Sequence, residues 1–116
     1  MGMEKARFFK VCLEMMRSKD ALEQEAGFQL MQRRVSEFAP ELLAEAATET
    51  RDWGLRSWLY ELLRETRSPL PLDHYRALLV SSDENERRWA IQGLKAIDTP
   101  EARKCLFDAR GGRAKR

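Results

Sequence analysis

Histidine occurs once in this chain, at His74, and cysteine twice, at Cys12 and Cys105. One imidazole and two thiols at unrelated spacings match no zinc pattern, so no metal is expected. The six glycines include one adjacent pair, Gly111-Gly112, which follows a helical pattern instead of opening one, and no phosphate-cradling loop is legible. No uninterrupted apolar run nears the roughly 18 residues that a bilayer-spanning helix needs. The opening MGMEKARFFK has no secretory apolar region either, so a cytoplasmic protein that does not engage membranes is expected. In that compartment Cys12 and Cys105, each within an apolar helical pattern, are expected as buried free thiols and not as a disulfide. His74, beside Asp73 and Tyr75 in the first turn of a short helix, reads as a partly exposed surface residue. With no acid, base or nucleophile set against it, the chain is not expected to be an enzyme or to hold a cofactor.

Charge of one sign is also missing from the body of the chain. The 21 basic and 19 acidic residues give a formal net charge of +2, but Arg110, Arg113, Lys115 and Arg116 crowd the last seven positions. Without those four, 17 basic residues face 19 acidic ones. A body so balanced is not built to neutralise phosphates. What is present is ordinary for a single globular domain: 116 residues, of which 43% are apolar.

The apolar residues recur with helical period. Phe8, Val11, Cys12, Met15 and Met16 fit the i, i+3, i+4, i+7, i+8 template and predict a helix over Met3 to Ser18. Asp20 caps a second helix carrying Leu22, Ala26, Leu30, Met31 and Val35 and closing near Phe38. Pro40-Glu41 opens a third, which closes near Thr50, and Asp52 caps a fourth with Leu55, Leu59, Leu62 and Leu63 inward. Pro69 and Pro71 interrupt the chain before a fifth helix from Leu72 to Val80. Asp83 starts a sixth, and a seventh opens at Pro100 and fades at Gly111-Gly112, leaving 111–116 as a flexible basic tail. The capping aspartates Asp20, Asp52 and Asp83 are spaced by 32 and 31 residues, and the helix-opening prolines Pro40, Pro71 and Pro100 by 31 and 29. Two independent marks give one period, in the range of helical-repeat units.

The third unit, DENERRWAIQGLKAIDTPEARKCLFDA from Asp83 to Ala109, resembles a HEAT repeat, in particular the short bacterial form. The residues that carry the resemblance are Asp83, Arg87, Ala90, Leu94, Ile97, Pro100, Glu101, Ala102 and Leu106. Glu86 stands where the pattern has an aliphatic residue, and Trp89 where it has a small one. The resemblance implies an all-α fold, a HEAT-like α-α superhelix of about seven helices in three hairpins plus a half-unit, occupying 1–110 as one domain. It also implies that the Asp52/Arg56 and Asp83/Arg87 pairs form a structural ladder between turns. Trp58 and Trp89 share a repeat position and would suit a nucleobase cleft, as in the HEAT-like alkylpurine DNA glycosylases. With capping aspartates occupied and no basic groove, packing in the core or between repeats is the expectation for both rings.

The remaining candidate for function is a surface column. Counted from each capping aspartate, the position eight residues on lies about 120° from the centre of the buried stripe. It holds Phe28, Tyr60 and Ile91 in successive repeats. Trp53 falls beside Tyr60, and Arg56, Arg64, Arg87, Arg88 and Lys95 flank the column. Either the stripe is widened by neighbouring repeats until it takes the column in, or these residues form an exposed aromatic-basic strip on the concave second-helix face, the residue types of interface hot spots. The second alternative predicts a non-catalytic module that binds another protein as an adaptor, assembly factor or toxin-neutralising antidote. Nucleic-acid binding through the arginines and the basic tail is the alternative function, and a repeat-type enzyme like the bilin lyases is a third class. Arginine well ahead of lysine, with abundant alanine, suggests a bacterial source.

Overall fold

The computed structural model describes residues 2–114, and among them it contains α-helices, one 3-10 turn and no strand. Seven helices follow one another: α1 (Gly2–Met16), α2 (Ala21–Arg33), α3 (Ala39–Thr48), α4 (Trp53–Thr66), α5 (Leu72–Leu78), α6 (Glu84–Ile97) and α7 (Pro100–Ala114). They pack in pairs, α1 on α2, α3 on α4 and α5 on α6, as helical hairpins do when short loops join amphipathic helices. The chain divides into two compact units, the first closing at Thr66 and the second opening at Arg67.

In the first unit the α1–α2 hairpin is unusually close. A Cβ on Gly27 would lie 2.7 Å from Met15 Cβ and 2.8 Å from the Cys12 carbonyl oxygen, so only glycine fits that crossing. The buried row on α1 is Phe9, Cys12 and Met16, whereas Val11 is largely exposed. Leu22, expected inward, is 78% exposed. Nine residues separate it from fully buried Met31, and nine steps of about 100° carry it to the opposite side of the helix. α2 also stops at Arg33, short of Phe38. A 3-10 turn (Val35–Glu37) follows, tightened by bonds from Glu37 N to Arg34 O and from Phe38 N to Val35 O, both 3.0 Å. The turn sets the Phe38 ring against Phe8 and Phe9, with centroids at 5.7 and 5.5 Å. The Arg34 guanidinium covers the Phe8 face at 4.3 Å while bonding both carboxylate oxygens of Glu37 at 2.9 Å.

The two hairpins of this unit stack with α2 alongside α4. Phe28 lies on Trp58 at 4.8 Å, and Gln32 Nε2 donates to both carboxylate oxygens of Glu65 at 3.1 Å. Both contacts advance in the same chain direction, so the two second helices run parallel. A second tie joins the loops. Arg17, at the end of α1, pairs with Glu45 at 3.4 Å and with Glu49 at 3.0 Å, and Glu49 Oε2 accepts the amides of Arg51 and Asp52.

In the second unit Tyr75 of α5 lies fully buried against Gly93 of α6. Any Cβ at 93 would overlap the tyrosine ring. Leu78, Ala90, Leu94 and Ala102 complete the contact among α5, α6 and α7. α6 ends at Asp98 in the left-handed region, φ 53°, and Thr99 Oγ1 accepts the Ala102 amide at 3.2 Å to open α7. Gly111-Gly112 does not stop this helix, which continues to Ala114; Lys115 and Arg116, the end of the expected basic tail, lie outside the described residues.

Candidate partner-binding surface

The capping aspartates do what their spacing implies. Asp20 Oδ1 accepts the Leu22 amide at 3.0 Å, Asp52 Oδ1 that of Leu55 at 3.0 Å, and Asp83 Oδ1 that of Asn85 at 2.8 Å. Two of the three turns add a serine two residues earlier. Ser18 Oγ accepts the Asp20 amide at 3.1 Å and Ser81 Oγ the Asp83 amide at 3.0 Å. In the middle copy threonine occupies that position and the Glu49 carboxylate takes over. Burial by itself would raise the Glu49 carboxyl, but the amides of Asp52 and Arg51 and the Arg17 guanidinium outweigh it and hold the group below its ordinary value.

Glu86 gains a reason in the same geometry. In the first turn of α6 its carboxylate accepts from the Ser81 hydroxyl, completing a cap where an aliphatic residue would only pack. Arg87 Nη1 donates to the Ser81 carbonyl at 2.8 Å, which commits this arginine to the α5–α6 turn.

The column of apolar residues is not an exposed strip. Phe28 is 8% exposed and Tyr60 2%, so neither belongs to a contact surface. Phe28 sits in the seam between α2 and α4, where a second neighbour widens the buried stripe beyond that of an isolated surface helix. The Tyr60 ring lies under the Arg56 guanidinium at 5.6 Å, and Arg56 itself is half-buried. Ile91, the third member, is only half-buried. Arg64 is half-buried in the last turn of α4, Arg88 is exposed with Glu84 at 3.7 Å, and Lys95 is exposed. The column therefore separates into a core part and an open part.

Two groups of exposed apolar residues remain, one in each unit. In the first, Trp53 is 60% exposed in the opening turn of α4, and Leu22 is exposed in the opening turn of α2. A hollow of about 190 Å³, lined by Met16, Gln24, Asp52, Gly54, Leu55 and Trp58, lies at the same end of these helices. In the second, a groove of about 390 Å³ runs between the end of α5 and α7, with Leu79, Val80, Cys105 and Ala109 among its walls. A second hollow of about 200 Å³ shares Leu79 and Ala109 with it and is bounded by Ile91, Lys95, Leu106 and Arg110. Phe107, on α7, is 73% exposed. Phe107 is missed by stripe counting because, two residues past Cys105, it lies about 200° round the helix from it, on the side away from buried Ala102 and Cys105. The only sequence signal for it is an aromatic on an otherwise charged helix face.

Both cysteines are buried and free, and burial pushes the Cys12 thiol up against the opposing charge of Arg34. Among the described residues no group of three His, Cys, Asp or Glu side chains is placed to hold a metal ion, and no helix is long and apolar enough to cross a membrane. No protein-family model matches the chain, and neither does any curated protein or solved structure.

Proposed function

We propose that the protein is a HEAT-like helical-repeat module that binds another protein without catalysing a reaction. The observation that carries this reading is the exposure of Leu22 and Trp53 in the first turns of the parallel helices α2 and α4, at the end where Met16, Gln24, Asp52, Gly54, Leu55 and Trp58 line a hollow. Scattered exposed apolar residues are ordinary, but a tryptophan fixed in the first turn of a packed helix is the kind of anchor that dominates protein interfaces. The repeat architecture supports the same reading. In the first unit two hairpins stack with their second helices side by side, a stiff surface whose residues are placed by the scaffold.

The test is capture from extracts of the native host on immobilised protein, in wild-type form and as Trp53→Ala. Trp53 is 60% exposed, so the substitution opens no core cavity and the circular dichroism and melting should stay close to wild type. A captured protein should be lost with the indole, by about 2 kcal/mol of binding free energy if Trp53 is a hot spot. Retention of nucleic acid alone, released by salt and indifferent to Trp53, would replace this reading with the nucleic-acid one.

A further inference from the structure

Ile91 occupies the repeat position of Phe28, and the two have different surroundings. Phe28 is covered by the Trp58 ring of the next second helix at 4.8 Å. Ile91 borders a hollow of about 200 Å³, and no second helix accompanies α7 among the described residues. Phe107, three residues before Arg110 on α7, is exposed.

The charges around the hollow specify what fits. On the adjoining groove Arg76 is paired with Asp73 at 2.8 Å and Lys104 with Asp108 at 3.0 Å. Lys95 and Arg110, which flank the hollow itself, make no ion pair with any described residue. In a two-fold dimer formed through this hollow, Lys95 and Arg110 of the two copies would face one another. We infer that this hollow seats one amphipathic helix of a partner protein, with a large apolar residue over Ile91 and acidic residues flanking its apolar stripe toward Lys95 and Arg110. The inference rests on the protein-binding reading above and adds a second contact region to it, with stated chemistry.

The probe is a fluorescent synthetic helix of about 14 residues, roughly four turns, with an apolar i, i+3, i+4, i+7 stripe and glutamates beside it. A twin carries lysines in their place. Anisotropy titration should show the glutamate peptide binding wild type roughly fivefold or more tighter than the lysine peptide, the sum expected of two surface ion pairs. Lys95→Glu with Arg110→Glu, both at exposed positions, should invert that order. Phe107→Ser should weaken both peptides, and Trp53→Ala should change neither. The proposal is overturned if the order survives charge reversal or if neither peptide saturates. It is equally overturned if the protein sediments as a dimer that Phe107→Ser dissociates, since the occupant would then be a second copy. Peptide failure alongside Trp53-dependent protein capture removes this seat and leaves the binding function standing; peptide binding without any captured protein does the opposite.

Discussion

Phe28 in the first unit and Ile91 in the second stand at the same place in the repeat, eight residues beyond a capping aspartate, yet one is sealed and the other half open. The difference is not in the helices that carry them. α2 and α6 are capped alike by Asp20 and Asp83, each through the amide two residues on and each with a serine hydroxyl on the aspartate amide. The difference lies in what comes next, since α2 has α4 beside it and the Ile91 side of α6 has a hollow. Burial at a repeat position is thus a property of the neighbour as much as of the residue. A column read along successive helices changes character where a hollow stands in place of a covering ring.

Truncation is the sharpest way to break that comparison. Phe28→Ala removes a ring from a packed seam and should cost about 3–5 kcal/mol, measured as a shift of the urea midpoint at unchanged slope. Ile91→Ala removes a half-buried side chain bordering open space and should cost about 1 kcal/mol, because little apolar area is newly hydrated. Equal losses would mean that Ile91 is packed as Phe28 is, and the two positions would no longer differ.

A second difference concerns charge. Glu49 is the one buried charged residue among those described, and it lies in the first unit, tying the α3–α4 turn to the end of α1. Its carboxyl is held below the ordinary value of 4.5 by amides and Arg17. Because the folded state favours the ionised form, the stability it contributes is complete above that ordinary value and is lost as pH falls through the lower folded value. Urea midpoints taken from about pH 7 down to about pH 3 should fall for wild type and converge on those of Glu49→Gln. At neutral pH the glutamine variant should be less stable by roughly 1.5–3 kcal/mol, the range for a hydrogen bond to a charged group. Amides of the Arg51-Asp52 turn should lose exchange protection before those of α6. Protection lost first around α6 would place the acid-sensitive element in the wrong unit.

Helix number, order and starts were legible in the sequence because they depend on local chemistry. Asp20, Asp52 and Asp83 need only a following amide to act as caps, and Pro40 and Pro100 need only the first turn of a helix. The pairing of Phe28 with Trp58 was not legible, since it depends on α2 and α4 lying parallel, a relation that helical period does not encode. The role of Glu86 escaped for a similar reason. A carboxylate at an expected apolar position looks like an erosion of the pattern until Ser81 is seen within its reach. The same limit explains the split of the candidate strip. Angular position on one helix separates inside from outside only when that helix has a single buried side, and here Phe28 has two neighbours while Ile91 lacks one.

The smallest effect expected separates two residues held in the left-handed backbone region, Arg67 at φ 55° and Asp98 at φ 53°. Both follow the last residue of a long helix, α4 and α6, where glycine is the residue of least steric cost. Arg67 makes no side-chain hydrogen bond or ion pair to a described residue, so Arg67→Gly gives up no contact and relieves a strained Cβ. Against the added freedom of the unfolded chain, the net gain should be about 0.5–1 kcal/mol. Asp98 differs because its carboxylate and its carbonyl both receive Arg103 Nη1 at 2.9 Å. Asp98→Gly exchanges that surface ion pair for the same relief, and aspartate tolerates the conformation better than arginine does, so its net change should lie within about 0.5 kcal/mol of zero. Thermal midpoints of the two glycine variants, measured side by side with Arg103→Ala, distinguish the terms. If Arg67→Gly is destabilising, the left-handed turn after α4 is held by something other than local backbone preference.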